Sequence, residues 1–151
     1  MKFKPDKRKD SLASIEKEVQ NTNSKKDKNF RLTGWWQKYI RLEDGFAIYE
    51  VDGNWIRNNL SIMFGYGGHG FVHEFIPNQE IWVEKNYPET INGLVEGQQM
   101  SQKFFDSIVI HEITEFKEMK KGTCYWKAHQ IALKKEKEIQ LLKNPYIKES
   151  D

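Results

Sequence analysis

With one cysteine, Cys124, the 151-residue chain cannot be a disulfide-stapled scaffold. Its ten glycines recur with no period, which excludes a collagen-like chain. No apolar run approaches the roughly 20 residues that a membrane span requires. The opening segment, Met1 to Asp10, carries basic residues without an apolar stretch, so it does not read as a secretory signal. A phosphate loop is also missing, because the Gly65-Tyr-Gly-Gly-His-Gly70 stretch has no Gly-Lys-Ser/Thr ending and does not lead into a helix. These absences leave a small soluble domain without membrane contact, and the lone thiol fits a reducing cytoplasm.

Charge of one sign is scarce overall, with 24 basic and 22 acidic side chains, but it is unevenly spread. Residues 1–29 hold nine Lys/Arg and five Asp/Glu, and no Trp or Tyr. Such a segment buries too little apolar surface to offset its ordering entropy, so it reads as a mobile basic arm. Leu12, Ile15 and Val19 allow a short amphipathic turn within it. A solvated tail is the plain reading of this arm, and its charge also suits a weak contact with nucleic acid or an acidic partner. Elsewhere aromatics and basic residues are interrupted by acids, and no stacking stripe for single strands emerges.

The organised domain is read as residues 30–145, with 146–151 as a tail. Up to about Glu84 the pattern favours short strands. Phe46–Val51 and Trp55-Ile-Arg57 flank Asp52-Gly53-Asn54, a dipeptide chemistry that suits a hairpin, and 60–64 continues the second strand. After the Gly-rich break, 71–76 resumes as an extended segment and the candidate edge strand for a peptide. His73-Glu74 falls in that strand on opposite faces. Pro77-Asn78 turns into a strand at Glu80-Ile-Trp-Val83. Trp35, Trp36 and Trp82 are expected to cover the sheet. Residues 85–100 read as a loop with room for a short helix.

Beyond that loop the apolar period changes from two to 3.6. Phe105, Val109, Ile113 and Phe116 form one stripe behind a Ser101 N-cap, and Lys120, Lys121 and Gly122 mark the helix end. Thr123 then opens a second helix running to about Leu142, which makes the pair antiparallel neighbours. Cys124 reads as a small buried thiol at the tip. The fold class is therefore α+β, a small, mostly antiparallel sheet followed by a C-terminal αα-hairpin.

The hairpin carries the chemistry. His111 and Glu115, four residues apart, project from one helix face, while Glu112 is rotated about 100° away. Tyr125, His129, Ala132 and Glu136 share a face of the second helix. Counted from the tip, Glu115 lies about 10 Å along its helix and His129 about 9 Å along its own, so the two are level. Two imidazoles and a carboxylate converging in this way suit a divalent ion, with His111, Glu115 and His129 as ligands. Zinc is the expected ion because it tolerates mixed nitrogen and oxygen donors; manganese, nickel and iron fit the same side-chain types. Glu112 is then placed to take a proton from the metal-bound water. Glu136 reads as an outer acceptor for a ring N–H or as an alternative ligand. His69 reads as an oxyanion donor or as part of a simple turn. Tyr125 reads as an orienting group or as a core aromatic.

Several of these segments together resemble the zincin-like metallopeptidase domains found in polyvalent proteins of phages and conjugative elements. They are Val51-Asp52-Gly53 with Arg57, Gly68-His69, Pro77-Asn-Gln-Glu-Ile-Trp82, His111-Glu-Ile-Thr-Glu115, and Met119…Gly122…Tyr125…Ala128-His129…Ala132…Glu136, over roughly residues 46–138. The resemblance implies a zincin-like, metal-dependent peptidase acting on a peptide or protein substrate, with His111, Glu115 and His129 as ligands and Glu112 as base. The competing expectation is a non-catalytic binding module that contacts nucleic acid or a host protein.

Overall fold

The computed structural model describes residues 31–90 and 93–138. The expected arm, most of the expected tail helix end and the 146–151 tail lie outside the described residues. Among those described, four strands form one mixed sheet and three helices accompany it. The strands are β1 (Gln37–Glu43), β2 (Phe46–Val51), β3 (Gly67–His69) and β4 (Glu80–Glu84), in the spatial order β1-β2-β4-β3. The helices are α1 (Gly53–Asn59), α2 (Gln102–Lys120) and α3 (Tyr125–Glu138). β1–β2 and β3–β4 are antiparallel, whereas β2–β4 is parallel. Among the described residues no helix is long and apolar enough to cross a membrane.

The hairpin turn lies one element earlier than the sequence suggests. Asp44 and Gly45, with φ of 52° and 84°, join β1 to β2 in the two-residue turn that needs positive φ at both positions. Asp52-Gly53 instead opens α1. The Asp52 side chain caps the helix by accepting the Trp55 N–H at 3.2 Å. Long-range contacts decide between two uses of the same dipeptide. Buried Glu84 accepts the Gly53 N–H at 2.9 Å and pairs with Arg57 at 3.0 Å, which ties α1 to β4. A Cβ at Gly53 would fall 1.5 Å from that carboxylate, so any larger residue would displace it from its place beside the helix start.

Two further expected strands are absent. Residues 60–64 form turns that follow α1, with Ser61 N–H donating to the Ile56 carbonyl. Residues 71–76 curl back on β3, because Val72 and His73 both donate to the His69 carbonyl, so that segment is no edge strand and His73-Glu74 lies in turn structure. The edge strand on this side of the sheet is β3 itself, within the Gly-rich stretch, and β1 forms the other edge. Glycine serves there because β3 lies directly against α2: a Cβ at Gly67 would come within 2.7 Å of Ile108 Cγ2 and 3.3 Å of Glu112 Cγ. The 85–100 loop contains no helix among its described residues.

Alternation along the strands fills two layers. Phe46, Ile48, Ile81 and Val83 face α2 and meet Phe104, Ile108, Val109 and Phe116. The other face buries Val51 and Trp82 under Trp36, Ile56, Phe64 and Ile76. Trp36 is itself stacked on Trp55, with ring centroids 4.5 Å apart. Trp35 takes no part in this cover and is 77% exposed, since it occupies the turn before β1.

α2 follows its expected pattern. Ser101 accepts the Phe104 N–H at 3.2 Å, and all four stripe residues are buried. At the other end Gly122, with φ of 102°, closes a Schellman motif: its N–H donates to the Met119 carbonyl and that of Thr123 to the Glu118 carbonyl. α3 begins with Ala128 N–H donating to the Cys124 carbonyl. Cys124 is exposed rather than buried, because the hairpin tip has no layer above it. The two helices pack antiparallel, which brings Ser107 to Glu136 and His111 to His129.

Candidate metal centre

Three elements bring the candidate side chains to one place. α2 supplies His111, Glu112 and Glu115, α3 supplies His129 and Glu136, and β3 supplies His69. His111 Nε2, Glu115 Oε2 and His129 Nδ1 form a triangle with edges of 2.9, 3.0 and 3.1 Å. His111 and Glu115 are both buried, and His129 is half-buried. The register read from the hairpin tip is thus the register of the fold.

The outer contacts settle what each atom can offer. Glu136 Oε1 lies 2.6 Å from His111 Nδ1 and accepts its proton, which leaves a lone pair on Nε2 when the ring is neutral. Ser107 Oγ donates to Glu136 Oε2 at 3.1 Å and holds that carboxylate from its far side. Ser107 belongs to no motif that the sequence displays. The signal was its place one turn before His111 on the inner face of α2, legible only once α3 is known to cover it. Tyr125 is no core aromatic; it is 39% exposed and stacks on the His129 ring at 5.6 Å between centroids.

His69 lies behind this group rather than in front of it. It is fully buried, and its Nε2 is 2.8 Å from Glu115 Oε1 and 3.8 Å from Glu112 Oε2. An oxyanion donor must point into the substrate space, whereas this nitrogen points at a carboxylate. The Gly-rich stretch around it is strand, not only a turn.

The electrostatics describe a site built for positive charge. Burial by itself would lower the His111 pKa, but hydrogen bonds to Glu115 and Glu136 outweigh it and push the group up to about 10. Burial would raise Glu115, yet hydrogen bonds from His111, His129 and His69 hold it well below the ordinary carboxylate range. Glu112 goes the other way, raised well above its ordinary value first by burial and then by the Glu115 charge. Without a cation, a proton on His111 provides the positive charge that the two carboxylates require.

The donor set fits a divalent metal ion. For ligands about 2.1 Å from a common ion, atoms at right angles are separated by about 3.0 Å and atoms at the tetrahedral angle by about 3.4 Å. The observed triangle is close to the first and reaches the second after a few tenths of an ångström of side-chain movement. His111, Glu115 and His129 form one group of atoms able to hold an ion, and His69, Glu112 and Glu115 form a second that shares Glu115. A cavity of about 210 Å³ opens beside them, walled by Gly67, Val72, Phe104 and Ile108 and reaching Met63 and Tyr125. His73, whose ring rests against Phe64 and Phe75, also lines it.

Metal uptake should depend on pH in a defined direction. His111 has its pKa raised from 6.5 to about 10, so its proton stabilises the metal-free fold fully below pH 6.5, and that contribution is lost as pH rises toward 10. An ion must displace this proton. For an added divalent ion such as zinc, the apparent affinity is therefore expected to rise about tenfold per pH unit between about pH 6.5 and 8.5, as measured by competition with a chromophoric chelator. A flat profile would mean that no ring proton is released.

Comparison with family models, with curated proteins and with solved structures gave no match to this chain.

Proposed function

We propose that the protein is a zincin-like, metal-dependent peptidase. The observation that carries this reading is the ligand triangle of His111, Glu115 and His129 with the Glu112 carboxylate beside it at the wall of an accessible cavity. Zinc is the ion assigned. Bound there, it lowers the pKa of a water in its shell and polarises a peptide carbonyl.

The chain's own residues do the rest. Glu112 accepts a proton from water as the water oxygen adds to the carbonyl carbon. It returns that proton to the amine nitrogen as the C–N bond breaks, so the products are a carboxyl and an amine. The raised pKa of Glu112 suits a group that must both take and give a proton. Glu136 and Ser107 keep the proton of His111 on Nδ1 and its lone pair on Nε2.

β3 supports the peptide as substrate. It is the outer strand next to β4, and its Gly67 and Gly68 line the cavity. The Tyr66 carbonyl accepts the Glu84 N–H at 2.9 Å, so the alternation of an antiparallel pair turns the Gly67 main chain away from β4. An extended peptide pairing there would lie beside Glu112. This edge, not residues 71–76, is the strand the reaction would use.

Zinc-loaded protein is expected to cleave an unfolded, casein-like substrate. Activity should disappear with a chelator and return on adding zinc in slight excess. Cleavage that is indifferent to the chelator would refute the metal-dependent reading.

A further inference from the structure

Glu115 divides its two oxygens between two tasks. Oε2 belongs to the ligand triangle, and Oε1 faces His69 Nε2 at 2.8 Å. The other ring nitrogen settles the direction of that contact. The Phe71 N–H donates to His69 Nδ1 at 3.2 Å, so Nδ1 carries a lone pair and the neutral ring holds its proton on Nε2. That N–H donates to Glu115 Oε1.

We infer that His69 is a positioning residue of the metal site: its Nε2–H engages Oε1 of Glu115, so the carboxylate presents Oε2 alone to the ion and does not chelate it with both oxygens. This rests on the metal-dependent reading above and concerns the same site.

The placement of His69 suits the role. The residue ends β3, pairs with Ile81 and has no exposed surface, so the sheet rather than a loop sets the donor's position. Its ring meets Phe116 edge-on at 5.7 Å and an interplanar angle of 87°, which opposes rotation. Each ligand then has its own support: Glu136 for His111, Tyr125 for His129, His69 for Glu115.

The same atoms suggest one competing role, since His69, Glu112 and Glu115 are close enough to hold a second ion. Coordination through Nε2 would need a lone pair there and the proton on Nδ1. The ring N–H would then face the N–H of Phe71, and the hydrogen bond between the two would be lost.

Two substitutions separate the functions of the two ring nitrogens. In His69→Gln the amide nitrogen falls near Nε2 and can still donate to Glu115. In His69→Asn the amide oxygen falls near Nδ1 and keeps the Phe71 bond, but nothing reaches Glu115. The full chain, stripped of metal, is titrated with zinc against a chromophoric chelator, and the visible spectrum of the cobalt-loaded form is recorded. Wild type is expected to bind one ion, His69→Asn to bind it about 10–100-fold more weakly, and His69→Gln to stay within about threefold of wild type. The cobalt bands of His69→Asn should weaken as a second carboxylate oxygen enters the shell, while those of His69→Gln keep the wild-type form.

Equal loss of affinity in both variants with unchanged cobalt spectra would overturn the inference in favour of a packing role. Two ions per wild-type chain, one of them lost on either substitution, would overturn it in favour of a ligand role. If His69→Asn shows no cooperative thermal transition, His69→Gln decides, and a loss beyond about tenfold there overturns the inference. One ion in wild type with an unaffected, folded His69→Asn refutes the His69 role alone. No ion in wild type refutes the underlying metal reading as well.

Discussion

Replacing Glu112 by glutamine is expected to leave the metal in place and lower turnover by at least about a hundredfold. The substitution preserves shape but removes the group that accepts a proton from water. Glu112 is outside the ligand triangle, with its carboxylate 3.8 Å from His69 Nε2. The substitution therefore removes none of the three ligand atoms. The check is elemental analysis beside hydrolysis of one protein substrate, on the same preparations. Full hydrolysis by Glu112→Gln would refute the proton-transfer role, whatever the metal content.

The second large effect is expected from His129→Ala, which should reduce the metal content from about one ion per chain to a small fraction of that. His129 is the ligand that α3 contributes, so its removal leaves two donors from a single helix. It is also the cleaner substitution. His111→Ala would strip Oε1 of the buried Glu136 of its His111 partner, adding a folding defect to the lost ligand. Thermal unfolding gives an independent reading. Zinc at a hundred times its dissociation constant should stabilise wild type by about 2.7 kcal/mol, and His129→Ala should gain little from the same concentration. An equal shift in both proteins would place the binding elsewhere.

The reading from residues succeeded where one element carried the whole signal. The Ser101 cap, the Phe105 to Phe116 stripe and Gly122 define α2 and its end through local hydrogen bonds and 3.6-residue periodicity. The short link to α3 then forces the helices side by side. Geometry along two rigid rods was enough to bring Glu115 level with His129. The reading failed where one local pattern has two physical outcomes. Asp-Gly serves a hairpin at Asp44-Gly45 and a helix cap at Asp52-Gly53. The choice at the second site rests on Glu84, thirty-one residues away. The 60–64 and 71–76 stretches have strand composition, but β4 pairs with β2 in parallel and takes the place expected for 60–64, while 71–76 folds back on the His69 carbonyl.

By itself, then, the sequence determined the α+β class, both hairpin helices and the alignment of His111, Glu115 and His129, because helical spacing and end chemistry are local. Tertiary structure alone decided that β3 is an edge strand beside α2, that Glu112 and Glu115 are pushed apart in pKa, and that His69 and Ser107 contact Glu115 and Glu136 from behind. Those outcomes depend on which surfaces come into contact: burial and the approach of charges arise only when sheet and hairpin close on each other.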